Sequence, residues 1–300
     1  MTSLPAAAAR RREDGLAIFR VAVAAVDPTR LVSNSLRLDG DRLIVGPHIL
    51  PFSPRARVIV IGAGKATPAM AVAVEETLGQ RITAGSINTK YDHALPLEHI
   101  QTVECQHPIP DQAGVDGTRQ MCRLLEGLTE DDVVICLLSG GGSALMPAPV
   151  PGLCLADKGQ TTAALLSCGA TIDEINAIRK HLSTIKGGAL SRLAMPARVV
   201  TLMVSDVIDD RLDTIGSGPT TPDPTTFGQC LELVDAYDIR EGIPLRALQH
   251  LEAGAAGLHP ETPKTGDTVF GHTVNLVIGN NGLALAAARE EASRRQYHPL

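Results

Sequence analysis

Tryptophan is absent from this chain of 300 residues, which has only three tyrosines and four phenylalanines. A core of the size such a length allows must therefore be aliphatic. Positive charge is also scarce, with 27 Lys and Arg against 33 Asp and Glu, a net charge of −6. A nucleic-acid binder needs a basic face, so that function is not expected. A few local lysines can still hold a small anion. The six cysteines form no CxxC pair, and the nine histidines show no metal-ligand spacing. Buried, reduced thiols are expected, which points to a cytoplasmic protein. No apolar run approaches the ~20 residues of a membrane span, so no membrane partner is expected. The N-terminal AAAARRREDGLAIFR begins like a targeting segment, but Glu13 and Asp14 follow the arginines and Arg20 interrupts the apolar part. A surface-lying helix ending before Pro28 is expected there.

What the chain does have is a regular alternation of short apolar runs and helical patterns. ARVIVIGAGKA (56–66), AGSINTK, TVECQHPIPD, DDVVICLLSGGG, ARVVTLMVSDVIDD and TVNLVIGNN read as strands. Between several of them lie segments with helical spacing, such as GVDGTRQMCRLLEGL with Met121, Leu124, Leu125 and Leu128. Thr171 and Glu174 are placed as a capping box, and a helix over 173–186 is expected to turn Ile175, Ile178, Leu182 and Ile185 to the core. Wholly apolar strands separated by helices indicate a mostly parallel sheet covered on both faces. The fold class is α/β, doubly wound and Rossmann-like. Residues 1–245 are expected to form this domain. Residues 246–300 read as a linker and the first β-α unit of an incomplete second domain.

Ligands bind such sheets beyond the carboxyl ends of the strands, where every glycine-rich or acidic cluster of this chain falls. Gly62-Ala63-Gly64-Lys65 opens like a dinucleotide fingerprint, but the third glycine position holds Thr67 and the expected ribose carboxylate is missing. GxxxxGK[ST] is not matched either. What remains is a lysine at a strand-to-helix turn, suited to a phosphate or simply solvated. Ser139-Gly140-Gly141-Gly142-Ser143 is either a nest of backbone N–H groups for an anion or a packing turn. No GxSxG elbow supports Ser139 as a nucleophile. Asp206, the first acid after its strand, is the candidate for Mg2+ or for accepting a hydroxyl proton, while Asp209, Asp210 and Asp213 read as loop charges. Gly216-Ser217-Gly218 is a rigid loop for substrate or a plain turn. Lys186 either faces the site or complements a helix end. His107 and Asp111 either reach the site or shape a turn.

Taken in order, VIGAGKA, HPIPD, LLSGGGSAL, INAIRKHLSTIKGG, SDVIDD and IGSGPTTPDPTT resemble the glycerate 2-kinase family, some of whose members carry the name hydroxypyruvate reductase. The resemblance runs from about residue 15 to 298. It implies phosphorylation of D-glycerate at the 2-hydroxyl by ATP with Mg2+, giving 2-phosphoglycerate, and a cleft between two domains. By position, the family's catalytic lysine is Lys65. Contacts to substrate or phosphates are expected from Gly62, Gly64, Ser139 to Ser143, Lys186 and Gly216 to Gly218, and Mg2+ binding or base chemistry from Asp206. The family's leucine-rich C-terminal domain, with a catalytic arginine, does not follow. The 300-residue form is therefore expected to be poorly active alone, and to associate as a homodimer or with the missing part. The competing readings are an NAD(P)H-dependent hydroxypyruvate reductase and a non-catalytic fragment that binds sugar acids.

Overall fold

The computed structural model describes residues 6–299. The chain opens with helices α1 (Ala6–Ala25) and α2 (Pro28–Ser35), then an antiparallel meander of β1 (Leu36–Asp39), β2 (Arg42–Val45) and β3 (His48–Pro51). Next come β4 (Val58–Ala63), α3 (Thr67–Leu78), β5 (Ala84–Lys90), β6 (Ile100–Cys105), α4 (Gln112–Leu124) and β7 (Val133–Leu138). The short α5 (Gly142–Leu145) leads to α6 (Leu155–Ser167), α7 (Ile172–His181) and α8 (Ala189–Ala194). Strand β8 (Arg198–Val204), helices α9 (Phe227–Ala236) and α10 (Leu245–Ala255), strand β9 (Thr273–Gly279) and α11 (Asn281–Arg294) complete it.

Six parallel strands form the main sheet in the order β6-β5-β4-β7-β8-β9. From β4 the chain builds outward on one side through β5 and β6. It then returns and builds outward on the other through β7, β8 and β9. The direction reverses between β4 and β7, and the crevice at such a switch point is where doubly wound sheets take their ligands.

Both faces of the sheet are covered, which is why its central strands are apolar at every position. Along β7, Val133, Ile135 and Leu137 join the core under α2, α3 and the meander, whereas Val134, Cys136 and Leu138 join the one under α4, α5 and α8. A third, helical core holds Leu165, Ile175, Ile178, Leu182, Phe227 and Leu251 of α6, α7, α9 and α10.

Two expectations are corrected. The β-α unit at the end of the chain does not open a second domain: β9 pairs in parallel with β8 as the sixth strand of the same sheet. Helix α11 packs on α1, where Asp14 pairs with Arg295 and accepts a hydrogen bond from the Tyr297 hydroxyl at 3.0 Å. The helix expected over 173–186 ends at His181, because Thr184 N–H donates to Ala148 O (3.0 Å) and Ser183 bridges to Pro149. The Thr171–Glu174 capping box does form. Of the thiols, Cys105, Cys136 and Cys230 are buried and Cys154 is exposed; all six are free. No helix among the described residues is long and apolar enough to cross a membrane.

Candidate active site

Strands β4 and β7 lie side by side, so the turns that follow them meet. Lys65 N–H donates to Gly140 O at 3.0 Å, and Ser139 N–H donates to Ala63 O at 3.2 Å. Ser139 is buried, and its Oγ accepts the Ala66 N–H at 3.0 Å and shares a hydrogen bond with Thr67 Oγ1, also at 3.0 Å. It thus satisfies a backbone donor at the start of α3, and its hydroxyl is turned away from solvent.

The glycines of the two turns serve different ends. A Cβ at Gly62 would strike the backbone of Leu137, and one at Gly64 would strike Ser139. Their missing side chains let the β4 turn lie flat against β7 and do not clear space for a ligand. A Cβ at Gly142 would come within 2.8 Å of Ala63 O, which is again packing. Gly140 and Gly141 face outward. A Cβ at Gly140 would lie 2.7 Å from Asp206 Oδ2, and one at Gly141 would lie 2.8 Å from His107 Nε2 and 3.3 Å from Lys65 Cε. Neither the Gly140 nor the Gly141 N–H has an acceptor among the described residues. Gly141 has φ +87°, which only glycine adopts readily.

Lys65 from β4, Gly140 and Gly141 from β7, Asp206 from β8 and His107 from the loop after β6 therefore surround one place beyond the carboxyl ends of the strands. Lys65 and Asp206 are exposed. Burial pushes the His107 imidazole below its ordinary value, and the positive charges of Lys65 and Lys90 push it further, against the opposing pull of Asp206. His107 is accordingly neutral at physiological pH. Asp206 also borders a cleft of about 600 Å³ between the β8 loop and the start of α11, with Asp209, Asp210 and Asn280 on its walls.

The other expected site residues form a layer behind this surface. Lys186, 1% exposed, donates from Nζ to Ser143 O (2.8 Å), Ser143 Oγ (3.0 Å) and Gly216 O (3.5 Å). It follows no helix end, since α7 has stopped at His181. Ser217 is fully buried, with its Oγ 2.8 Å from Ser143 Oγ. A Cβ at Gly218 would press on Asp213 O at 2.9 Å. The loop 216–218 is thus bound to the triple-glycine turn from behind. Asp111 caps α4 by accepting the Gly114 N–H at 3.0 Å, the turn-shaping role of the two considered for it. His107 and Lys90 had only one signal in the sequence, their place at the ends of adjacent strands.

Among the described residues no group of three or more His, Cys, Asp and Glu side chains is placed to hold a metal. Asp206 is a lone carboxylate beside the glycine turn. One carboxylate suits a Mg2+ that arrives on phosphates and keeps several waters. A cation held entirely by protein ligands would not fit.

Comparison with known proteins finds glycerate kinases among the similar chains. The glycerate 2-kinase of Pyrococcus horikoshii is 39% identical over 283 residues, covering 94% of this chain and 62% of that protein. The mouse glycerate kinase is 36% identical, covering 100% of this chain and 58% of its own length. A solved structure of a Pyrococcus horikoshii protein superposes with a TM-score of 0.86 at 37% identity, covering 98% of this chain and 65% of that one. The Thermotoga maritima glycerate kinase structure gives a TM-score of 0.80 at 34% identity, covering 95% and 63%. The chain thus spans between 58% and 65% of the length of these relatives. The model of the family described as domain of unknown function (DUF4147) matches residues 14–252, and the chain belongs to that family.

Proposed function

We propose that the chain carries the phosphoryl-transfer surface of a glycerate 2-kinase, which moves the γ-phosphoryl group of ATP to the 2-hydroxyl of D-glycerate and releases 2-phosphoglycerate and ADP. The observation that carries the reading is the meeting of Lys65 with Gly140 and Gly141 at the switch point of the sheet. Phosphoryl transfer asks a protein mainly for positioning and for positive charge on the phosphoryl oxygens. The Lys65 ammonium supplies the charge. The free N–H groups of Gly140 and Gly141 supply fixed donors that need no reorganisation. Mg2+, when bound, neutralises phosphate charge, and Asp206 is the residue that would hold it. The proton leaving the glycerate 2-hydroxyl goes to Asp206 or to neutral His107, the two acceptors beside the turn. The names of the similar kinases support the same substrate and reaction type.

A nicotinamide reductase is disfavoured by the use made of its fingerprint positions. Gly62 and Gly64 are occupied in packing against Leu137 and Ser139, and Thr67 is buried against Ser139 Oγ. The test pairs two assays, ADP release with MgATP and D-glycerate, and NAD(P)H oxidation with hydroxypyruvate. Each is run on the chain alone and on the chain supplied with the part of the Pyrococcus relative that it does not match. ADP release with phosphate on the 2-hydroxyl is expected. NAD(P)H oxidation without ADP release, or silence of the supplemented chain in both assays, contradicts the proposal.

A further inference from the structure

Helix α7 ends in three basic residues, Arg179, Lys180 and His181. Two of them are accounted for. Lys180 Nζ lies 3.2 Å from Asp223 and 3.5 Å from Asp213, and His181 is held between Ala177 O (2.8 Å) and Glu261 (3.1 Å). Arg179 is half-buried and makes no hydrogen bond or ion pair with any described residue. It stands three positions after Asn176, on the same helix face. Asn176 Oδ1 accepts from Ser217 Oγ at 3.4 Å, and Ser217 Oγ lies 2.8 Å from Ser143 Oγ. That face therefore leads to the back of the triple-glycine turn.

Two lysines share this region, and neither has a counter-charge among the described residues. Lys186 Nζ, fully buried, meets only the neutral oxygens of Ser143 and Gly216. Lys158 Nζ donates to Leu182 O at 2.9 Å. The acids on the surrounding elements are committed elsewhere: Asp157 to Arg246, Asp173 to Arg211, Glu174 to Thr171 and Tyr237, Asp213 and Asp223 to Lys180. Burial brings Lys158 down to about 7 and Lys186 well below its ordinary value, and the Arg179 charge lowers both further. Amines buried without a counter-charge give up their protons, and an anion joining them would let them charge again.

We propose that Arg179, backed by Lys186 and Lys158, is the contact residue of a small-oxyanion subsite, which receives the carboxylate of the acceptor hydroxy acid. The subsite itself stands on the unpartnered Arg179 guanidinium and on two lysines that bond only neutral oxygens, and only the identity of its anion rests on the kinase reading. A guanidinium fork matches a planar carboxylate with two parallel hydrogen bonds. Lys186 and Lys158 act through the field they add from behind. Ser143, which Lys186 holds, lies two residues beyond Gly141, so a carboxylate bound here would anchor the acceptor beside the turn that faces Lys65.

Isothermal titration of the chain at pH 7.5 in two buffers of different ionisation heat tests this with D-glycerate, inorganic phosphate and glycerol as probes. An anion favours the charged lysines and raises their pKa, so binding should take up protons. D-glycerate is expected to bind with proton uptake and glycerol not to bind. Arg179→Gln should weaken D-glycerate by about tenfold or more, and Arg179→Lys should recover part of the loss, with an unchanged thermal midpoint showing that both variants fold. Failure of D-glycerate to bind, or an equal Kd in Arg179→Gln, overturns the proposal; phosphate binding in its place overturns the carboxylate assignment. The kinase reading is separable. Binding that depends on Arg179 in a chain that releases no ADP, even when supplied with the unmatched part of the Pyrococcus relative, keeps the subsite and removes the kinase. ADP release with an unchanged KM for D-glycerate in Arg179→Gln does the reverse.

Discussion

A methyl group added at Gly62 and one added at Gly141 would meet different kinds of atom. At Gly62 it meets the backbone of β7, which has no room to yield. At Gly141 it meets His107 Nε2 and Lys65 Cε, side-chain atoms that can move aside. Gly62→Ala should therefore destabilise the fold by about 3 kcal/mol or more, as overpacking against rigid neighbours does. Gly141→Ala should cost about 1–2 kcal/mol for its left-handed backbone and lower turnover by displacing the two side chains. Urea unfolding and ADP release on the same variants check this, and a stable Gly62→Ala or a fully active Gly141→Ala would contradict it. The sequence shows where the glycines are, and Lys65 is legible from its place between strand and helix. Which glycines face a ligand is not legible, because that depends on what β7 places opposite each one. His107 was legible only as one of two candidates at a strand end; its approach to Gly141 was not, because nothing local ties the two together.

At the scale of the element, β4 and β7 are registered at their starts by one ion pair. Arg57 donates to Asp132 from its backbone N–H (2.8 Å), Nε (3.0 Å) and Nη2 (2.6 Å), and Thr129 N–H adds a further bond at 2.7 Å. Burial alone would raise the Asp132 pKa, but the Arg57 and Thr129 hydrogen bonds outweigh it and hold the carboxyl at about 2. A folded pKa below the ordinary value of 3.8 stabilises the fold above about pH 4, and that stability is lost as pH falls through 2. Asp132→Asn should lower stability by about 2 kcal/mol at pH 6, and the gap from the parent should narrow towards pH 2. Urea midpoints across that range measure it, and a gap independent of pH would exclude the ion pair as the cause. Periodicity located the strands of the main sheet but misplaced the end of α7. Leu182 and Ile185 continue an apolar spacing that the backbone abandons in order to pair Ser183 and Thr184 with Ala148 and Pro149. The meander went unread because its strands have four residues each, although Gly40-Asp41, the two-residue loop between Asp39 and Arg42, is a hairpin signal.

At the scale of the molecule, one sheet carries the whole account. The strand order could not be read from sequence, since nothing in TVNLVIG says that it pairs with β8 rather than founding a new sheet. A Cβ at Gly279 would strike Leu31, and Leu276 lies against Gly46, so β9 is clasped by α2 and the meander from the start of the chain. The reversal between β4 and β7 lies inside the sheet, flanked by β5 and β8, and its crevice holds both glycine turns. Hydrogen exchange over the whole chain, with and without MgATP, tests that claim most directly. Gly140 and Gly141 N–H groups, which have no acceptor among the described residues, should exchange rapidly in the free chain. MgATP should slow segments 62–66 and 139–143 together and leave the meander at 36–51 unchanged. Protection of one turn without the other, or of neither, would contradict a single phosphate site shared by Lys65 and the triple-glycine turn.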